Sequence, residues 1–250
     1  MKWRLVVYGL IGIAIIFATE TPSTQRNGIE IVFKAQDKQI NPYQEEYEKL
    51  LYPTVRISSP AGTGSGVVIS HRDTEVTETD IYVLTAAHVV ENESKVQVEF
   101  FYQAITKIEA TVIITDTAKD LALIRVICGI HDIRVKDIYS ATLAPKDYTP
   151  YLFTPVWTVG CSLGLKPRPS FGHLCALCDS VADNWEVSSP VLPGNSGGPV
   201  YDARTYEVIG IAVWVHTYQG QLITTMAGVV PINEIYEFLT SHQDTKTLRK

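Results

Sequence analysis

No stretch of this 250-residue chain concentrates lysine or arginine, and its formal net charge is −6. A surface of that sign repels phosphate backbones, so a nucleic-acid partner is not expected. No long bilayer span is evident either: the apolar run Leu5–Ala18 has 14 residues, short for a relaxed membrane crossing. Cysteines number only four, Cys128, Cys161, Cys175 and Cys178. None lies in a glycine-rich turn, which argues against a cysteine nucleophile. The glycine loop Gly62-Thr63-Gly64-Ser65-Gly66 lacks the Lys-Ser/Thr ending of a phosphate-binding loop, and no helix is expected after it.

What is present is apolar material in short runs. Hydrophobic residues make up 46% of the chain, enough for a sizeable core. Lys2 and Arg4 precede the run Leu5–Ala18, and the polar stretch Thr19–Gly28 follows it. A charged start, a short apolar middle and a polar exit describe a secretory signal. Ile16 is bulky for a cleavage site ending at Ala18, so an uncleaved membrane anchor through residues 5–18 is the alternative. Either reading implies export, to a periplasmic or extracellular space. Residues 19–45 read as a polar linker, and helix formers from Glu45 to Leu51 predict a short helix.

From Tyr52 onward the pattern is that of strands. Val55–Ile57, Val67–Ile69, Ile81–Leu84, Val96–Phe101, Ile108–Ile114 and Leu121–Ile127 predict about six strands and one small closed barrel. The acidic segment His71–Asp80 reads as an exposed loop. Residues 128–150, with Pro145 and Pro150, read as a crossing segment. A second set follows at Val156–Val159, Phe171–Leu177, Val181–Val187, Pro199–Tyr201, Val208–Val215 and Leu222–Val230. Asn233 is a candidate cap for a last helix, Glu234–Leu239. The expected architecture is all-β: two six-stranded antiparallel barrels and a short C-terminal helix. The double-barrel region spans 46–240, with barrel one at about 52–127, barrel two at about 151–231 and a tail at 241–250.

Three motifs carry chemistry. Pro193-Gly194-Asn195-Ser196-Gly197-Gly198-Pro199 sets a serine between glycines, whose backbone freedom permits a sharp turn that exposes one hydroxyl. Thr85-Ala86-Ala87-His88 follows an apolar run, and Asp120-Leu121-Ala122-Leu123 opens another. In the order His, Asp, Ser, these stretches resemble the trypsin-like serine peptidases of the chymotrypsin fold. The resemblance covers about residues 50–240 and implies a trypsin-like peptidase domain with the active site between the two barrels. A Gly-x-Gly-Ser-Gly strand before the histidine motif, and Asn rather than Asp before the serine, bring the pattern nearest to the bacterial Deg/HtrA-type domains. A peptidase domain without the PDZ module that many of those relatives carry is the expectation.

The resemblance implies that His88 is the general base, Asp120 its orienting partner and Ser196 the nucleophile. An unperturbed histidine titrates near 6.5, which suits that task. The N–H groups of Gly194 and Ser196 would bind the oxyanion. Asp116, four positions from Asp120, is the rival acid. Asn195 implies that no new N-terminus pairs with this position to activate the chain. The pocket floor would be Pro190 and its wall Val213, Trp214 and Val215, which implies small or aliphatic residues before the scissile bond. His173 and His216 are the alternative, as contacts for an acidic side chain. No cofactor is expected. Cys128, Cys161, Cys175 and Cys178 read as disulfides or thiols, with a zinc site (His173 as an alternative ligand) the weaker reading. Protein or peptide substrates follow for a serine endopeptidase. The alternatives are a catalytically silent member that binds peptides in the same cleft, and an esterase with the same triad.

Overall fold

The structure is a computed structural model that describes residues 2–7, 14–19, 30–31, 41–60, 62–75, 78–102, 106–129, 138–177 and 184–241. The chain divides into two compact units, Met1–Pro42 and Tyr43–Lys250. In the first, strand β1 (Lys2–Val7) pairs antiparallel with β2 (Ala14–Thr19) and parallel with β3 (Glu30–Ile31). Two stretches of the run 5–18 therefore lie in strands. Among the described residues no helix is long and apolar enough to cross a membrane.

The second unit opens with a helical turn α1 (Gln44–Glu46), continued by wider π-helical turns over Tyr47–Leu51. Leu50 is buried there. Barrel one follows: β4 (Thr54–Ser59), β5 (Gly62–Glu75), β6 (Glu78–Thr85), β7 (Lys95–Phe100), β8 (Thr106–Asp116) and β9 (Leu121–Gly129), closed in the order β4-β5-β6-β9-β8-β7. Val55, Ile57, Val67, Ile81, Val83 and Val98 alternate along these strands and fill the interior. Closure leaves no open sheet edge to pair with other chains.

Residues 71–80 are not the exposed loop their acidity predicts. β5 runs on to Glu75 and β6 starts at Glu78, so most of the segment forms an extended hairpin. Thr79 and Asp80 are buried, and Asp80 takes a two-pronged bond from Arg125 of β9, at 3.0 and 2.8 Å. The arginine makes the acid acceptable inside, because a forked guanidinium satisfies both carboxylate oxygens.

Barrel two comprises β10 (Pro155–Gly160), β11 (Arg168–Ala176), β12 (Trp185–Val187), β13 (Pro199–Asp202), β14 (Val208–Tyr218) and β15 (Gln221–Pro231), closed in the order β10-β11-β12-β15-β14-β13. Of the expected strand 181–187, β12 covers Trp185–Val187; positions 181–183 lie outside the described residues. The crossing segment is stitched to both barrels. Ala141 N donates to Val68 O, and Thr142 and Ala144 exchange backbone hydrogen bonds with Val208. The final helix α2 (Ile232–Ser241) begins before Asn233, which lies in its first turn rather than capping it. Ile232, Ile235 and Phe238 bury its apolar face, and residues 241–250 are described only at Ser241.

Candidate active site

His88 sits in a single helical turn, Ala87–Val90, directly after β6. Val89 N and Glu91 N close the turn on Ala86 O and Ala87 O. The turn presents the His88 ring to solvent at 47% exposure while Ala87, Val89 and Val90 pack inward. The ring meets Asp120: His88 Nδ1 lies 2.8 Å from Asp120 Oδ2, and His88 N–H donates to Oδ1 at 2.9 Å. An ionised carboxylate only accepts, so Nδ1 carries the proton in this pair. Nε2 is left as the basic nitrogen.

Asp120 holds this place through an unusual backbone, with φ at +52°. A non-glycine residue rarely adopts that conformation, and such strain persists only where the surroundings fix it. Asp116 is engaged elsewhere. Its Oδ1 accepts from Ala118 N and Lys119 N, at 2.9 and 3.0 Å, and so shapes the turn that delivers Asp120. Lys119 braces the same turn by ion pairs to Glu234 and Glu237 of α2. The two acids four residues apart thus do different jobs.

Ser196 arrives from barrel two. Its backbone carbonyl accepts from Ser65 N at 2.8 Å, and Gly197 N donates to Ala212 O at 2.7 Å. Gly197, at φ +82°, lies so close to barrel one that a Cβ there would stand 2.2 Å from Ser65 O and Thr85 Oγ1 and 2.9 Å from Ala86 N. That approach carries the serine loop to the residues that launch His88, and only glycine permits it. Ser196 Oγ makes no hydrogen bond among the described residues. Catalytic bonds of this type are often long before substrate binds.

The loop before the serine has a marked asymmetry. Four successive carbonyls are bonded: Pro193 O by Leu163 N, Gly194 O by Ser65 Oγ, Asn195 O by Gly198 N and Ser196 O by Ser65 N. Among the described residues, the N–H groups of Gly194 and Ser196 donate to no protein acceptor. Two open donors one residue apart, on a backbone held from behind, can receive a developing negative charge. Gly194 has φ +97°, and a Cβ there would meet Cys161 O at 2.5 Å. Asn195 is fully buried and accepts from Ser162 Oγ. Its Nδ2 is buried with no hydrogen-bond partner, and among the described residues no cation pairs with this side chain.

The expected pocket residues fall on two strands and one loop. Pro190 is exposed in the loop between β12 and β13, whose next residue donates from Val191 N to Thr224 O at 2.7 Å. Val213 is buried, while Trp214 and Val215 are half-buried on β14. Val215 stands opposite Ala227, and Trp214 opposite Gly228. A Cβ at Gly228 would stand 1.9 Å from the indole, so the ring lies flat against the backbone there. His216 is already engaged by Glu186, a buried acid that the sequence reading missed, at 2.6 Å. His173 packs edge-on against Phe171.

The cysteines are scattered. Cys128 is buried on β9, Cys161 is buried after β10, and Cys175 is exposed on β11; Cys178 lies outside the described residues. Among the described residues no three His, Cys, Asp or Glu side chains gather as a metal site. Burial pushes the Cys161 thiol up to about 12, which leaves it unreactive.

Residues 64–211 match the trypsin-like peptidase domain. The chain belongs to that family. Its relatives are of the HtrA type. It is 28% identical over 189 residues to an HtrA-like serine protease of Staphylococcus epidermidis, covering 69% of this chain and 29% of that protein. It is 27% identical over 204 residues to serine protease HTR4 of Rattus norvegicus, covering 77% of this chain and 36% of that one. The chain therefore spans about a third of the length of these curated relatives. Among solved structures, the HtrA-type protease AlgW with tripeptide superposes at a TM-score of 0.63 and 19% identity, over 80% of this chain and 63% of that one. This likeness bears on the fold, and two closed six-stranded barrels are what it shares.

Proposed function

We propose that this chain is a serine endopeptidase that cleaves peptide bonds through an acyl-enzyme on Ser196. The observation that supports the reading is the two-point seat of His88 on Asp120, with the Ser196 loop reaching from the other barrel to Ser65, Thr85 and Ala86. His88 Nε2 takes the Ser196 proton as Oγ attacks the scissile carbonyl, and returns it to the leaving amine. Asp120 holds the tautomer and stabilises the imidazolium. Gly194 N–H and Ser196 N–H receive the oxyanion. Water then enters, His88 accepts its proton, and the acyl group leaves as a carboxylic acid.

The substrate is a protein or peptide with a small or aliphatic residue before the scissile bond. Val215 facing Ala227 narrows the wall by resemblance assigned to the pocket, and Pro190 supplies no charge for a basic side chain. The Glu186 bond to His216 leaves that ring committed within the chain and weakens an acidic preference. Lys2, Arg4 and the run 5–18 support action outside the cytoplasm, as a secreted or anchored protein. A positional-scanning peptide library tests the preference. Cleavage after Ala or Val is the expected result, and strong cleavage after Arg, Lys or Glu overturns it. A silent peptide binder would bind the same library without cleaving it.

A further inference from the structure

We infer that Ser65 is a positioning residue for the oxyanion site, a reading that rests on the proposed peptidase activity. Ser65 lies on β5 in barrel one and is fully buried. The sequence presents it only as the polar member of a glycine-rich stretch. In the structure all its polar groups face the junction of the barrels. Its N–H donates to Ser196 O at 2.8 Å. Its hydroxyl donates to Gly194 O at 2.6 Å and accepts from Cys161 N at 2.7 Å. Its carbonyl accepts from Thr85 Oγ1 at 2.6 Å, three residues before His88.

The consequence lies in the peptide planes. In a trans peptide the C=O and N–H point in opposite directions. The carbonyls of Pro193 and Asn195 belong to the two peptides that carry the open N–H groups, and other backbone donors hold them. Ser65 holds the two carbonyls that alternate with these, Gly194 O and Ser196 O. Of the four anchors, the Ser65 hydroxyl is the one made by a side chain, and it comes from the opposite barrel. Without it, Gly194 O would be left with no partner beside a residue whose φ of +97° already permits wide rotation. The Gly194–Asn195 peptide, which joins the two that carry the open N–H groups, would then be held only through Asn195 N on Leu192 O, and the two donors could shift relative to each other. Ser65 touches neither substrate nor reacting atoms; it sets where the donors point.

Because removing one oxyanion donor outright typically costs 10²–10³ in kcat, loosening one predicts a loss of about 10–100-fold. The test uses the full chain and a peptide that the wild type cleaves. Ser65→Ala should lower kcat by that factor, leave KM within about threefold, and weaken a peptidyl boronate inhibitor in proportion to kcat. Thermal unfolding and near-ultraviolet circular dichroism report whether the fold is retained. If Ser65→Ala does not fold, the near-isosteric pair Ser65→Thr and Ser65→Val, which differ by one hydroxyl, decides. The threonine should be the faster by the same factor. Equal kcat within the pair, or an active wild type matched by Ser65→Ala, overturns the inference alone. A wild type with no Ser196-dependent hydrolysis overturns it together with the peptidase reading.

Discussion

The two barrels prepare their halves of the site by opposite means. Barrel one fixes side chains: the His88 ring and its backbone N–H both rest on one carboxylate. Barrel two fixes backbone: four carbonyls around Ser196 are bonded, while its hydroxyl has no protein partner among the described residues. A general base must keep one tautomer and one orientation, which a carboxylate supplies. An oxyanion site must keep N–H groups aimed at one point, which only a held main chain supplies. The comparison predicts that, the Ser196 hydroxyl itself apart, side-chain substitutions act on chemistry from barrel one, Ser65 included, and that backbone and packing substitutions act on it in barrel two.

The sharpest break is removal of the reacting groups. Ser196→Ala and His88→Ala should each lower kcat by roughly 10⁶-fold, and the double variant should be no worse than either single one. Additive losses in a peptide-cleavage assay would mean that the two residues do not act as a unit. Next comes the acid. Asp120→Asn should cost about 10⁴-fold in kcat by favouring the wrong tautomer. Asp116→Asn should retain most activity, because its bonds serve a turn. A larger loss at Asp116 would reverse the assignment.

On the barrel-two side, Asn195→Asp places a buried carboxylate where no cation lies among the described residues. Chemical denaturation should show a loss of about 3 kcal/mol. Unchanged stability would mean that the site has a cationic partner after all. A smaller effect concerns pH. Burial opposes the Asp202 charge, but Arg204 and the Tyr148 hydroxyl outweigh it and hold the carboxyl below its ordinary value. A depressed folded pKa stabilises the fold above the unfolded value, near 4, and that stability is lost as pH falls through the folded value. Asp202→Asn should therefore flatten the acid end of the stability profile. The smallest effect is expected from Lys119→Ala, at most about 1 kcal/mol, since its ion pairs are partly solvated.

The barrels and the three motifs were legible because alternation and turn chemistry are local signals. Strand positions followed from runs such as Val96–Phe101, and the loop at 193–199 from its glycines. What escaped were partners far apart in sequence. Asp80 looked like a loop residue because Arg125, 45 positions later, is what lets it be buried. Asp116 and Asp120 are the same residue type four positions apart; the Leu-Ala-Leu run after Asp120 favours it in the sequence, and its bonds to His88, its φ of +52° and the Asx turn at Asp116 separate the two in the structure. Ser65 gave no sign of its reach to Gly194, 129 positions away. Glu186 was overlooked because its partner His216 lies across the sheet. Among the described residues, Cys128, Cys161 and Cys175 lie on β9, just after β10 and on β11, positions that only barrel topology sets.

The most direct test treats the wild-type chain with a serine-directed fluorophosphonate and locates the adduct by mass, with Ser196→Ala and His88→Ala alongside. The account predicts one adduct, on Ser196, lost in the first variant and slowed by orders of magnitude in the second. A folded wild-type chain that takes no label, or takes it at another serine, would contradict it.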